Sequence, residues 1–307
     1  MSSNLKNFLL LLLLASLWGP SFLFIKIAIE FIPPITLTAI RIGIGAALLF
    51  TILKFKHRKL PKLKSVWKHF SIAALLQSAV PFTLFAVGEK SIDSSLAAII
   101  CGSAPLFTLV LAHFFTKNDR FTKSKLTGSG VGFFGLFILV APALFGAQAT
   151  LFGIFAVMIG AMCYAIAFVY VKKFIKMTDF APLVVPTLQL IFSFLFLLPV
   201  ALIFEDHSTL KNASPAAIFS TLSLGIFGSA LAFVVYYKIL AATSATYTSM
   251  VNYMVPVVGV VLGMLVLDEQ LTWNSYLGCI LILVGVMIAN GIIKKPAGRA
   301  ESRPTLV

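Results

Sequence analysis

Charged residues are scarce in this chain. They make up 11% of its 307 residues, against 60% hydrophobic ones, and the mean hydropathy is +1.02. A soluble domain carries roughly a quarter charged residues, so a soluble fold is excluded. Acids are scarcer still, ten against 24 lysines and arginines. Glu30, Glu89, Asp93, Glu205, Asp206, Asp268 and Glu269 fall at the ends of apolar runs or between them, as do Asp119, Asp179 and Glu301. With no acid inside a run, proton coupling through a buried carboxylate has no support at this level. Four histidines (His57, His69, His113, His207) are scattered over four segments, and Cys101, Cys163 and Cys279 each sit in an apolar run. Neither a metal-ligand spacing nor a disulfide framework is visible, so no metal and no cofactor are expected. A membrane-embedded enzyme for lipid-linked substrates would need a carboxylate pair or a nucleophile beside a base, and none is evident. The longest interruption, roughly 54–69, is too short for the soluble domain of a receptor or scaffold.

What the chain has in abundance is apolar runs. They fall at 8–29, 34–53, 70–88, 94–115 and 126–143, then at 150–171, 182–204, 216–238, 244–266 and 275–293. Crossing a bilayer takes about 20 apolar residues, so ten transmembrane helices are expected. No window alternates like a barrel strand, which leaves an all-α integral membrane protein. The start, MSSNLKNFLLLLLLASLW, resembles a signal peptide, but the run continues to Ile29 with no A-x-A-like site behind the leucines. It reads as an uncleaved first helix. With the N-terminus inside, twenty lysines and arginines collect on the inner side and only Lys90 and Lys211 on the outer, while Lys26 and Arg41 lie within spans. That asymmetry predicts a multi-pass protein of the cell (inner) membrane with both termini in the cytoplasm. The net charge of +14 belongs to these loops and not to a nucleic-acid site. Membrane lipids are the expected partners, with KFKHRKLPKLKSVWKH against anionic headgroups. The tail, 294–307, is expected to be disordered.

The chain also repeats itself. DRFTKSKLTGSGVGFFGL from Asp119 and EQLTWNSYLGCILILVGV from Glu269 share four residue types at one offset of 150. These are Asp119, Thr122, Gly128 and Gly135 against Glu269, Thr272, Gly278 and Gly285. Thr122 and Thr272 are N-cap candidates, and glycines seven apart give a flat face for close helix packing. TAIR from Thr38 matches PTLQ from Pro186, Pro105 matches Pro256, and Lys26 falls on Lys172 when Phe22 is laid on Phe168. The two units are 1–143 and 147–293, with five helices each. Five is odd, so the second unit enters the membrane upside down relative to the first. The loop charges agree: four lysines or arginines separate the fourth and fifth runs, and none separates the ninth and tenth. Inverted five-helix repeats are typical of secondary transporters, whose substrate site lies near the midplane between them.

The W-G start of the first run, its aromatic counterpart in the sixth and the two T-x5-G-x6-G endings resemble the EamA family of the drug/metabolite transporter superfamily. The resemblance covers about 8–292, with Leu17-Trp18-Gly19, Thr38-Ala39-Ile40-Arg41, Pro105, Pro256 and Glu269 as its markers. It implies two inverted EamA repeats and a carrier of small organic solutes such as amino acids, other metabolites or drugs. Export by alternating access is the expected mode, with a small-molecule substrate and a proton or an exchanged solute as counterpart. The chain is expected to be a monomer or a weak homo-oligomer. Tyr164 stands where the second repeat often has a tryptophan, so exact symmetry of the two gates is not expected.

A proline inside a span frees the carbonyl four residues earlier. Pro20 frees Ser16, Pro81 frees Gln77, Pro105 frees Cys101 and Pro256 frees Asn252. In lipid such a carbonyl must find a partner or line a wet cavity. The substrate-binding candidates are Trp18, Ser21, Gln77, Ser103, Tyr164, Tyr236, Asn252 and Tyr253. The candidates for gating or charge pairing are Gly19, Pro20, Arg41, Glu89, Pro105 and Pro256. Aromatic walls with a few amides suit a small amphipathic solute, and interhelical hydrogen bonding is the alternative for each residue singly. Lys26, with Glu30 four residues on, fits an interface anchor, as does Lys172 at the matching depth. Arg41 lies about seven residues, or roughly 10 Å, inside its span, where an arginine is costly unless paired. Glu89 or Glu30 is its expected partner. Structural pairing and gating of a substrate carboxylate both explain it.

Overall fold

The computed structural model describes residues 3–117, 119–146, 150–258 and 273–290, and among these the chain is helical with no strand. In chain order the main helices are α1 (Ser3–Ala28), α2 (Pro34–Phe55), α3 (Val66–Gly88), α4 (Leu96–Phe115) and α5 (Lys123–Gly146). The second half gives α6 (Leu151–Phe174), α7 (Val184–Phe204), α8 (Pro215–Ala242), α9 (245–258) and α10 (Trp273–Ala289). Seven of them, α1–α4 and α6–α8, are long and apolar enough to cross a membrane. Their outer faces are greasy: Phe55, Phe114, Leu202, Ile203 and Phe204 stand exposed. In water such a surface would drive aggregation, and in lipid it is matched.

Five of the helices are interrupted. Gly19-Pro20 forms a turn between the two segments of α1, Ser3–Trp18 and Ser21–Ala28. In α3 a π-helical turn over Leu75–Ala79 precedes Pro81, whose missing N–H cannot continue the regular ladder. α8 carries the same device at Ile226–Leu231. Laying Gln77 on Gly228 puts the two π-turns in register, at an offset of 151. α4 breaks at Gly102-Ser103 and restarts with Pro105 in its first turn, the position a proline tolerates best. Pro105 therefore begins a helix instead of kinking one. α9 is interrupted at Met250, with Pro256 buried in the segment beyond.

The helices pair so that corresponding members of the two units meet. α2 packs on α7 and α5 on α10, while α3 packs on α6 and α8 on α1. The α5–α10 contact shows the symmetry atom by atom. A Cβ added to Gly128 would lie 2.6 Å from the Gly285 carbonyl oxygen, and one added to Gly135 would lie 2.9 Å from that of Gly278. Under the offset of 150 these two contacts exchange into one another. Residue numbers rise along α5 as they fall along α10, so corresponding helices run antiparallel. α2 and α7 do the same. The Glu205 carboxylate, beyond the end of α7, accepts hydrogen bonds from Ile35 N–H (2.9 Å) and Thr36 N–H (2.7 Å) at the start of α2. Phe194, mid-α7, lies against Gly43. A carboxylate at a helix N-terminus also meets the positive end of its dipole. Thr122 caps α5 by accepting from Lys125 N–H. Its counterpart Thr272, with Asp268 and Glu269, lies outside the described residues.

Candidate functional site

The repeat offsets bring a second pair of contacts together. Lys26 of α1 donates to the main-chain oxygens of Glu89 (2.7 Å) and Ile92 (3.0 Å), beyond the last turn of α3. Lys172 of α6 donates to those of Leu240 (2.7 Å) and Ala241 (3.5 Å), in the last turn of α8. Lys26 corresponds to Lys172, and Glu89 to Leu240. Each ammonium satisfies a carbonyl at or just past a helix end, Lys26 also one in the turn beyond it, and meets the negative end of the helix dipole. Both lysines were expected to reach for the interface, Lys26 beside Glu30. The structure instead ties each to another helix, while Glu30 is exposed.

Between these two ties, Trp18 and Tyr164 stack across the pseudo-symmetry axis with ring centroids 6.2 Å apart and planes 15° apart. Phe82 and Phe85 of α3 meet the Tyr164 ring edge-on at 6.2 and 5.3 Å. The rings wall a small cavity lined by Trp18, Ser21, Phe22, Ile25, Arg41, Phe82, Phe85, Cys101, Tyr164, Asn252 and Val255. It encloses about 20 Å³, room for roughly one water molecule. Its side walls come from α1, α2, α3, α4, α6 and α9, so both repeats contribute. Its lining residues are at most 8% exposed, and the space is too small for an organic solute, so this form is closed to one.

Among the described residues Arg41 is the only cation on this lining, and it is 2% exposed. Its guanidinium carbon lies 4.1 Å from the centre of the Phe82 ring. Its Nε donates to Ser229 Oγ (3.3 Å) and Nη2 to the Gly228 carbonyl (3.5 Å), both in the π-turn of α8. The same carbonyl accepts from Trp18 Nε1 at 3.1 Å. A π-turn swings carbonyls out of the ladder, and here one is shared by the two residues that define the cavity. The expected ion pair is a correction. Glu89 is completely buried, but neither of its carboxyl oxygens has a hydrogen-bond partner, and no salt bridge joins it to Arg41. Arg41 is held by a hydroxyl, a carbonyl and a ring.

The other repeat repeats this arrangement without the charge. Arg41 corresponds to Gln189, and Ser229 to Ser78. Gln189 Nε2 donates to Ser78 Oγ at 3.4 Å, where Arg41 donates to Ser229. Gln189 Oε1 accepts from Tyr237, and Ser78 and Ser193 hydroxyls pair at 2.6 Å. Gln77, in the α3 π-turn, accepts from Tyr236 at 3.3 Å and leaves its Nε2 unpartnered. One half of the molecule thus holds a buried cation and the other a neutral amide network.

Of the expected binding candidates, Trp18, Ser21, Tyr164 and Asn252 line the cavity, and Asn252 Nδ2 has no hydrogen-bond partner. Gln77 and Tyr236 lie behind it, with Tyr236 packed on Trp18 at 6.2 Å. Ser103 donates to the Ile100 carbonyl at the α4 break. Tyr253 points away, its hydroxyl on the Ser129 carbonyl of α5. Of the gating candidates, Arg41 lines the cavity, Gly19-Pro20 adjoins it through Trp18 and Ser21, and Glu89 is buried at the nearby end of α3. The residues not anticipated are Phe22, Ile25, Phe82, Phe85, Cys101 and Val255 of the wall, and Gly228 and Ser229 behind it. The signal for Ser229 was present, because the offset of 151 lays it on Ser78.

A sequence profile of the EamA-like transporter family matches residues 5–141 and again residues 151–291. The chain belongs to that family. The EamA matches fall on the two halves whose helices pair antiparallel. The chain is 30% identical over 273 residues to the uncharacterized transporter YoaV of Bacillus subtilis (strain 168), covering 89% of this chain and 92% of that one. It is 24% identical to a probable amino-acid metabolite efflux pump of Escherichia coli (strain K12), covering 92% and 94%. One solved crystal structure superposes with a TM-score of 0.73 at 19% identity, over 92% of this chain and 96% of its own. That likeness shows the fold. The protein is a multi-pass, all-α membrane protein of a transporter family.

Proposed function

We propose that this EamA protein is a secondary transporter that moves a small organic solute, an amino acid or related metabolite, out of the cell across the cytoplasmic membrane. In this reading ten helices span the bilayer, with α5, α9 and α10 joining the seven long ones, and both termini are cytoplasmic. The solute binds between Trp18 and Tyr164, with Arg41 and Asn252 as its polar contacts. The observation that carries the reading is the closed aromatic cavity at the meeting of two antiparallel repeats, with a buried cation on its wall. A closed cavity lets a solute in only if the repeats move. The two lysine ties, equivalent by symmetry, suit gates that open in turn: Lys26 on one side and Lys172 on the other. The relative in Escherichia coli, a probable amino-acid metabolite efflux pump, supports export and the solute class.

The test is uptake into proteoliposomes containing the full-length protein, screened over amino acids, nucleosides and cationic drugs with and without a pH gradient. The expected result is saturable uptake of at least one amino acid, abolished by Trp18→Ala. If no solute moves under any gradient, the reading fails.

A further inference from the structure

Glu89 carries a completely buried acid that makes no hydrogen bond through either carboxyl oxygen. What Glu89 gives the fold is its main-chain oxygen, which receives Lys26. The symmetry supplies the control: Leu240 receives Lys172 in the same way with no carboxyl group at all. The tie between helices therefore needs no acid at this position.

The charged and titratable groups around Glu89 can be named element by element. Lys26 of α1 and Arg41 of α2 are the cations whose field reaches it. Both spend their hydrogen bonds elsewhere, Lys26 on two carbonyls and Arg41 on Ser229 and Gly228. On α6 the titratable group is Tyr164, which lies in the field of Arg41, and on α4 it is Cys101. Lys90 and Asp93 follow Glu89 in the chain and are exposed, as is Glu30 at the end of α1. An ionised carboxylate shut off from water without a donor is so unfavourable that such a group neutralises instead. Glu89 lies outside the cavity lining but within the field of Arg41, which is on it, so movement of Arg41 on opening would bring a cation and water to the carboxyl.

We propose that Glu89 is the proton-carrying group of this carrier, holding a proton while the Arg41 cavity is closed and exchanging it with solution when the cavity opens. The proton comes from water on one side of the membrane and returns to water on the other, so no further reactant is needed. The proposal rests on the carrier reading above and adds the coupling ion. It also revises the expectation from sequence, where Glu89 counted as a helix-end acid and proton coupling found no support.

Two measurements separate this proposal from the carrier reading. The first needs no solute: infrared difference spectra of the full-length protein at neutral pH, wild type against Glu89→Gln. A carboxylic C=O stretch lost in the variant is expected. No difference in that band would overturn the proposal. The second is proteoliposome uptake of L-leucine, L-phenylalanine and L-threonine under imposed pH gradients. One-proton coupling supports about a tenfold change in accumulation per pH unit, because a unit of pH is 1.36 kcal/mol. The wild type and a Glu30→Gln control should follow the gradient, and any uptake by Glu89→Gln should not. Glu89→Leu, which copies Leu240, is the second variant should Glu89→Gln fold poorly. Wild-type uptake that ignores the gradient, or Glu89→Gln uptake that follows it, would overturn the proposal. An infrared band without uptake of any solute by the wild type would instead sink the carrier reading, and coupling with it.

Discussion

Replacing Gly128 by alanine tests the inverted packing most sharply. The added methyl would meet the Ala289 amide nitrogen at 2.3 Å and the Gly285 carbonyl oxygen at 2.6 Å. Both atoms belong to the α10 main chain, which cannot swing aside as a side chain would. Restoring ordinary contact of at least 3.4 Å means parting the helices by about 1 Å, and overpacking of this kind costs about 1–3 kcal/mol. Gly130 lies two residues along the same helix with nothing within 4 Å of its added Cβ. There alanine should gain about 0.5–1 kcal/mol, since glycine weakens a helix by that amount. Thermal or SDS-induced unfolding of the purified protein reads both variants on one scale. Opposite signs are expected, with Gly128→Ala shifting the folded-to-unfolded ratio down by roughly fivefold or more. If Gly128→Ala unfolds together with the wild type, α5 and α10 do not approach as described, and the antiparallel repeat loses its best contact.

Trp18→Phe keeps the ring and removes the donor to Gly228, leaving that carbonyl only the longer contact from Arg41; a stability loss of about 1–3 kcal/mol is expected in the same unfolding assay. Arg41→Gln should abolish saturable uptake of an amino-acid solute, and Arg41→Lys should recover little of it, because an ammonium cannot reproduce the planar, ring-stacked guanidinium. Lys26→Met and Lys172→Met should loosen opposite gates. Each removes charge-assisted bonds worth about 1.5–3 kcal/mol, enough to raise opening on its own side roughly ten- to hundredfold. Thiol labelling of Cys101 from each side of the membrane reads this, and acceleration from the same side by both variants would contradict the paired-gate account.

The repeat was legible because its markers are single residues with steric consequences. Gly128, Gly135, Gly278 and Gly285 recur at one spacing because two helices can approach so closely only where no Cβ intervenes, and the structure finds them in mutual contact. The break at Gly19-Pro20 and the pairing of Trp18 with Tyr164 followed from the same alignment. The π-turn of α8 was not legible: no proline marks Ile226–Leu231, and apolar helices with and without an extra residue look alike in sequence. The depth of Arg41 was legible but the groups that hold it were not, since depth along a helix does not say which way a side chain faces. The burial of Glu89 was not legible for the related reason that a helix end in sequence need not be an exposed end in the fold. Lys26 and Lys172 were both taken for interface anchors, because cationic side chains near helix ends usually reach water. Here the nearer partners are carbonyls at or just past the end of another helix.

Cys101 offers a native probe of the central claim, that one cavity between the repeats opens to both sides in turn. It lines the cavity and is 2% exposed in the closed form. With Cys163 and Cys279 replaced by serine, a membrane-impermeant thiol reagent applied to oriented vesicles should label Cys101 slowly from either side, and a transported solute should change both rates. Labelling from one side only, or none from either, would contradict alternating access through this cavity.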